Sequence, residues 1–194
     1  MHSNLLRSEQ DEPLNAITHL IPGIVFFLLW CFCDKEVEQI YTAGFSTMFF
    51  TSFFYHSASK SKRILRKLDQ YCIYLIIGMS GLCCSHSIPS SHVVIILTTI
   101  LLSLSYHVWS DKRGLPEGIV IPLVYLLSGL VCVIFILGSS NHHGWVIGGS
   151  TAYVVGFYFY LNDHKKYYHA IWHVFVVLGA LMMFTHIQAA SILP

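Results

Sequence analysis

The run from Ile119 to Gly138, IVIPLVYLLSGLVCVIFILG, decides the fold class of this chain. It contains no charged residue, and its length matches the ~20 residues with which an α-helix crosses the hydrocarbon core of a bilayer. Odd and even positions are both apolar, whereas a lipid-facing β-strand alternates apolar and polar residues. The run therefore predicts a transmembrane helix.

The composition extends this interpretation to the whole chain. Of the 194 residues, 55% are hydrophobic and 11% are charged, whereas an ordinary soluble domain has roughly 25% charged residues. Seven long apolar runs follow one another with short connections. They are Ile17–Cys33, Ile40–Tyr55, Tyr71–Ile88, His92–Trp109, Ile119–Gly138, Trp145–Leu161 and Ile171–Ile192. We expect an all-α integral membrane protein, a seven-transmembrane helix bundle that forms a single domain over residues 1–194.

The basic residues predict the orientation of the bundle, because cytoplasmic loops of membrane proteins are enriched in Lys and Arg. If residues 1–16 form a short polar cytoplasmic amino terminus, ten of the 11 Lys and Arg residues lie on the cytoplasmic side. These ten are Arg7, Lys60, Lys62, Arg63, Arg66, Lys67, Lys112, Arg113, Lys165 and Lys166, and only Lys35 lies outside. Seven spans then place the carboxyl terminus outside. The first run lacks a basic leader and a small-residue cleavage site, so we expect no signal peptide.

Histidine residues gather at the predicted cytoplasmic ends of the spans. Ser52 and His56 are four residues apart, as are His169 and His173, so each pair lies on one face of its helix. Asp69 stands just before the third span, on the same side. Three imidazoles and an open fourth position are typical of catalytic zinc, and a nearby carboxylate can accept a proton. We predict zinc bound by His56, His169 and His173, with Asp69 and Ser52 as catalytic residues.

The residues around this cluster resemble the hemolysin III family. The resemblance is carried by Phe54-Tyr-His56-Ser, Arg66-Lys-Leu-Asp69, Ile73-Tyr-Leu and His169-Ala-Ile-Trp-His173, and by an opening segment with Glu12, Asn15, Thr18 and His19. That family belongs with the progestin and adipoQ receptors, and more loosely with the alkaline ceramidases. The resemblance implies a seven-helix bundle with zinc near the cytoplasmic face, bound at the positions of the three histidines. It also implies that Ser52 and Asp69 lie beside the metal and that the Asp holds its water. Leu20, Gln70 and Gly78-Met-Ser-Gly depart from the family pattern and leave the substrate open.

Three functions remain open at this point. The first is a zinc-dependent hydrolase of a lipid amide or ester, similar to a ceramidase. The second is a seven-helix receptor or sensor with structural zinc. The third is a membrane-lytic protein of the hemolysin type, ranked last because a pore needs a polar file across the whole bilayer. Membrane lipids are the expected partners, with a lipid substrate in the bundle cavity and no nucleic acid. We expect the bacterial inner membrane as the location, and the oligomeric state stays open.

Two other groups of reactive residues are not assigned to this site. His86, His92, His142 and His143 fall at the predicted outer face and could bind a second metal there. We interpret them instead as solvated loop residues, because no i, i+4 pair links them and no carboxylate is near in sequence. Six cysteines show no CxxC spacing, so we expect them to fill apolar space.

Overall fold

The computed structural model describes residues 11–85, 89–115, 119–139 and 142–192. These ranges contain seven α-helices and no β-strand. The helices are α1 (Glu12–Phe32), α2 (Glu36–Ser57), α3 (Lys62–Cys83), α4 (Ser90–Arg113), α5 (Val120–Ser139), α6 (His143–Leu161) and α7 (Tyr168–Ile192). Among them, α1, α4, α5 and α7 are long and apolar enough to cross a membrane. The all-α class is confirmed, and these four helices are those expected of an integral membrane protein.

The third helix differs from the predicted third span. It begins at Lys62, nine residues before Tyr71, and ends at Cys83. Asp69 therefore lies inside α3 and not before it. Hydropathy locates the apolar part of a helix, whereas Lys, Arg and Leu at the start of α3 are good helix formers that extend it through a charged turn. The predicted end at Ile88 lies outside the described residues.

The helices pack in two neighbouring groups, which meet where α2 contacts α3. On one side, α1 and α7 pack against α2, and α6 packs against α7. On the other side, α3 contacts both α4 and α5. Among the four most apolar helices, α7 is the most buried and α4 the least. The first group therefore surrounds α7, and the second leaves α4 largely open to lipid.

Side-chain hydrogen bonds to backbone carbonyls join the helices inside the bundle. The Tyr41 hydroxyl of α2 donates to the carbonyl of Ala180 on α7 at 3.0 Å. The Ser46 hydroxyl of α2 donates to the carbonyl of Gly23 on α1, also at 3.0 Å. Polar contacts of this kind hold membrane helices together, because lipid provides little hydrophobic drive for helix association. These two bonds hold α2 between α1 and α7.

The beginning of α1 is held against the loop that leads into α7. Pro13 occupies the first turn of α1, where its missing N–H costs no hydrogen bond. The carboxylate of the preceding Asp11 accepts a hydrogen bond from the Tyr167 backbone N–H at 3.2 Å. The first turns of α1 therefore lie beside the first turns of α7, at the end of the bundle where α2 finishes.

Candidate metal centre

Three histidines from two helices meet at this end of the bundle. His56 is the penultimate residue of α2, and His169 and His173 lie in the first two turns of α7. One nitrogen from each ring lies within 4.8 Å of the other two, and all three side chains are buried. The spacing-based prediction that these residues converge is confirmed. Within the described part of the chain, this is the group whose geometry could hold a metal ion.

The tautomer of His173 follows from its hydrogen bonds to α1. The hydroxyl of Thr18 donates its hydrogen to the carbonyl of Asn15 at 2.8 Å. Nδ1 of His173 lies 2.9 Å from the same hydroxyl oxygen and 3.2 Å from the Asn15 carbonyl. A carbonyl can only accept, and the hydroxyl hydrogen is already used, so Nδ1 of His173 must be the donor. Nε2 of His173 then carries a lone pair, which can bind a cation or accept a hydrogen bond.

The other two rings also direct Nδ1 toward an oxygen. Nδ1 of His56 lies 2.6 Å from a carboxylate oxygen of Glu12, whose other oxygen pairs with Lys62 at 3.2 Å. Nδ1 of His169 faces the carboxylate of Asp163 at 3.7 Å. Metal-binding histidines usually present their second ring nitrogen to a carboxylate or a carbonyl in this way, which fixes the tautomer and orients the ring.

Nε2 is therefore the atom that His56 and His173 offer as a ligand, and Nε2 of His169 faces that of His173. Nε2 of His173 and Nε2 of His169 lie 2.9 Å apart. Two lone pairs at this distance repel each other unless a proton or a cation lies between them. Two nitrogens on a tetrahedral zinc are about 3.3 Å apart, so a shift of a few tenths of an ångström would accommodate the ion. The donor set thus fits zinc, with one coordination position left for another molecule.

Helix α1 contributes a layer of polar side chains around the three histidines. The His19 ring stacks on that of His173, with a centroid separation of 3.6 Å and an interplanar angle of 16°. Glu12 contacts His56, and Thr18 contacts His173, as does Asn15 through its backbone carbonyl. His56, His169 and His173 are called the triad below. From the sequence, these four residues of α1 are predicted only to form an opening segment that resembles the family, and none of them belongs to the predicted site. The signal that could have identified them is the spacing Glu12, Asn15, Thr18 and His19, which places polar groups along one side of an apolar helix.

Ser52 and Asp69, the other two predicted site residues, lie on α2 and α3. Ser52 is buried on α2, one turn before His56, and Asp69 is half-buried in α3. Neither residue belongs to the three-histidine group that could hold a metal ion, and their catalytic roles stay predictions.

At the opposite end of the bundle, the ring of His92 stacks on that of Phe135 with a centroid separation of 4.3 Å. His142 and His143 lie at the start of α6, and His86 falls outside the described residues.

The six cysteines all lie within the described residues and are free. Cys84 and Cys132 are buried, and Cys31 is exposed. Within the ranges that the structure describes, no cysteine lies with histidines or carboxylates in a second group that could hold a metal ion.

Comparison with known proteins places the chain in a family. It is 26% identical to the "Hemolysin-3 homolog" of Bacillus subtilis (strain 168) over 204 residues, which cover 90% of this chain and 92% of the relative. It is 23% identical to the "Hemolysin-3" of Bacillus cereus over 198 residues, covering 90% and 89% respectively. No solved structure matches the chain. The model of the family described as haemolysin-III related matches residues 7–184, and the chain therefore belongs to that family.

Proposed function

We propose that this protein is a zinc-dependent membrane hydrolase that cleaves a lipid amide or ester near the cytoplasmic face of a bacterial plasma membrane. The observation that carries the proposal is the convergence of one nitrogen from each of three buried histidine rings, with oxygens of Glu12 and Thr18 at Nδ1 of His56 and of His173. When bound, zinc would supply Lewis-acid polarisation of a carbonyl and activation of water. Three protein ligands with an open position are typical of catalytic zinc, whereas a structural site is closed by four.

The other residues of the site then have distinct tasks. His56, His169 and His173 would hold the metal, and Glu12 orients His56. Asp69 accepts the proton of the attacking water at its carboxylate and returns it to the leaving group. The buried hydroxyl of Ser52, one helical turn from His56, hydrogen-bonds a polar atom of the substrate.

The site lies at the end of the bundle that carries the basic residues. Lys62 begins α3, Lys112 and Arg113 end α4, and Lys165 and Lys166 lie between α6 and α7. A lipid in the cytoplasmic leaflet could therefore bring a headgroup-proximal carbonyl to the metal while its chain stays in the bilayer. This placement favours a lipid over a small soluble substrate.

The decisive experiment combines metal analysis with Asp69→Asn. We expect one zinc per purified chain and release of fatty acid from a long-chain lipid amide or ester. Asp69→Asn keeps the side-chain shape but cannot accept a proton, so zinc should remain while the rate falls ~10²- to 10⁴-fold. Asp111→Asn is the matched control, because Asp111 is an acidic residue at the same end whose partners are Lys67 and Tyr71. Its rate should be similar to that of the wild type.

Two results would overturn the hydrolase. Zinc without turnover of any lipid amide or ester would indicate a receptor or sensor with structural metal. Loss of zinc in Asp69→Asn would make Asp69 a fourth protein ligand and close the site to substrate.

A further inference from the structure

Two polar side chains on the metal-facing side of α1 have no hydrogen-bond partner among the residues that the structure describes. These are Asn15, with both its amide atoms, and His19, with both its ring nitrogens. Asn15 is fully buried, and His19 is 4% exposed. Their separation of four residues places them one turn apart on the same helix face. Four polar atoms are therefore left unsatisfied in one small region.

This region borders the three-histidine group. The ring of His19 lies against His173 on one side and near Phe49 on another, with centroid separations of 3.6 and 5.0 Å. The backbone carbonyl of Asn15 contacts Nδ1 of His173, so the Asn15 side chain begins next to the same ring. Neither side chain belongs to the three-histidine group that could hold the metal ion.

Unpaired amide and imidazole groups are unfavourable in a membrane interior, where no bulk water can satisfy them. Native proteins keep buried polar groups paired in the great majority of cases, and an exception calls for a specific explanation. Polar residues at membrane depth are by default candidates for a functional site. A ligand that supplies the missing partners explains both residues together.

We propose that Asn15 and His19 form a polar subsite that binds the carboxamide group of a long-chain N-acyl lipid beside the metal centre. This inference rests on the proposed function and narrows its substrate class from amides and esters to amides.

The hydrogen-bonding inventory of the subsite favours an amide. The Asn15 side chain offers two donor hydrogens and an acceptor oxygen, and a neutral His19 offers one donor and one acceptor. A secondary amide presents a carbonyl acceptor and an N–H donor, so it can engage atoms of both kinds. An ester presents acceptors only and leaves the acceptor atoms of the subsite unpaired. A site that hydrogen-bonds a donor of its ligand discriminates strongly against an analogue that lacks this donor.

The test compares two probes that differ only at the linking group, N-butyl hexadecanamide and butyl hexadecanoate. Full-length protein with its metal is titrated with each probe in detergent and observed by native mass spectrometry, which reads metal, bound lipid and released fatty acid together. The wild type should bind the amide about tenfold more tightly than the ester, the ratio expected for one unpaired buried acceptor.

Two substitutions remove the polar atoms and keep the packing. His19→Phe retains a ring over His173, and Asn15→Leu retains the backbone carbonyl that contacts His173. Each variant should keep its metal and lose most of the preference for the amide, and the double variant should lose all of it. Ser46→Ala is the control, because Ser46 is a buried hydroxyl whose hydrogen bond to Gly23 is already made. Its preference should equal that of the wild type. If the first pair fails to fold, His19→Leu and Asn15→Ala remove the same polar atoms with less side-chain bulk and provide the same comparison.

The outcomes separate this inference from the proposed function. Equal affinity of the wild type for both probes, or no saturable binding of either, overturns the subsite and means that water alone fills it. Preference for the amide that persists in the variants also overturns it. A preference that depends on Asn15 and His19, without release of fatty acid, leaves the subsite standing and removes the hydrolase. Equal release from amide and ester in wild type and variants leaves the hydrolase and removes the subsite.

Discussion

The Glu12 carboxylate links the candidate metal centre to the charged surface of the bundle. One oxygen lies 2.6 Å from Nδ1 of His56, and the other pairs with Lys62 at 3.2 Å. The His56 side chain is fully buried, and that of Glu12 is 14% exposed. A carboxylate at Nδ1 raises the basicity of the opposite nitrogen, which strengthens a metal bond there. Glu12 therefore acts through His56 and not on the metal directly.

The first prediction concerns this pair. Glu12→Gln keeps the side-chain length but removes the negative charge, so the zinc affinity should fall ~10- to 100-fold, as is usual when such a supporting residue is changed. Competition with a zinc chelator measures the affinity. Asp111→Asn, which removes a carboxylate paired with Lys67 away from the triad, should leave it unchanged. Equal zinc affinity in Glu12→Gln and wild type would show that the contact is incidental.

The second prediction tests the ligand assignment with two equally buried histidines. His173→Ala should abolish stoichiometric zinc, because two imidazoles remain where three converge. His107→Ala should keep one zinc per chain, because His107 packs among Tyr71, Tyr74 and Tyr125 on the other side of α3. Elemental analysis of the purified variants checks both. Full zinc occupancy in His173→Ala would show that the assignment is wrong.

At the level of elements, the position of α7 depends on its close approach to α6. A Cβ atom added at Gly156 would lie 2.7 Å from Cβ of Phe175 and 2.8 Å from the ring of Trp172. Trp172 directly precedes His173, so a displacement of α7 at this point moves one of the three converging histidines. The contact between two helices thus affects the geometry of the candidate site, although neither contacting residue belongs to it.

The third prediction follows from this approach. Gly156→Ala should destabilise the bundle by about 1–3 kcal/mol, since the added methyl overpacks a filled interface. Gly129→Ala is the matched control, because a Cβ on this α5 residue meets nothing within 4 Å. It should be neutral or stabilising by up to about 1 kcal/mol, from the better helix propensity of Ala. Thermal unfolding midpoints in detergent compare the two, and a similar loss in both variants would contradict the packing explanation.

At the level of the whole molecule, the basic end of the bundle is also rich in aromatic contacts. Lys62 lies 5.7 Å from the centroid of the Tyr55 ring, and Arg113 lies 5.7 Å from that of Trp109. Lys165 and Lys166 lie 5.1 and 4.5 Å from the rings of Tyr168 and Tyr167. Tyr and Trp are enriched at membrane interfaces, and Lys and Arg on the cytoplasmic side. This end is therefore expected to face the cytoplasm.

The fourth prediction is the orientation that follows, with the amino terminus inside, seven spans and the carboxyl terminus outside. A reporter that is active only in the cytoplasm should be active when fused to the amino terminus of the full-length chain and inactive at the carboxyl terminus. Activity at both ends would require an even number of spans. In that case at least one of α2, α3 and α6, which are less apolar than the other helices, would not cross the membrane.

The sequence by itself determined the helical class, the order of the apolar runs and the two four-residue spacings, Ser52 to His56 and His169 to His173. It could do so because apolar length and four-residue spacing are local properties of a chain. Only the tertiary structure decided which groups surround the triad. Thr18 contacts His173 across 155 residues of chain, and Glu12 contacts His56 across 44. Those contacts depend on the packing of α1 against α2 and α7, and this packing is set by the summed fit of many side chains, which no local pattern specifies.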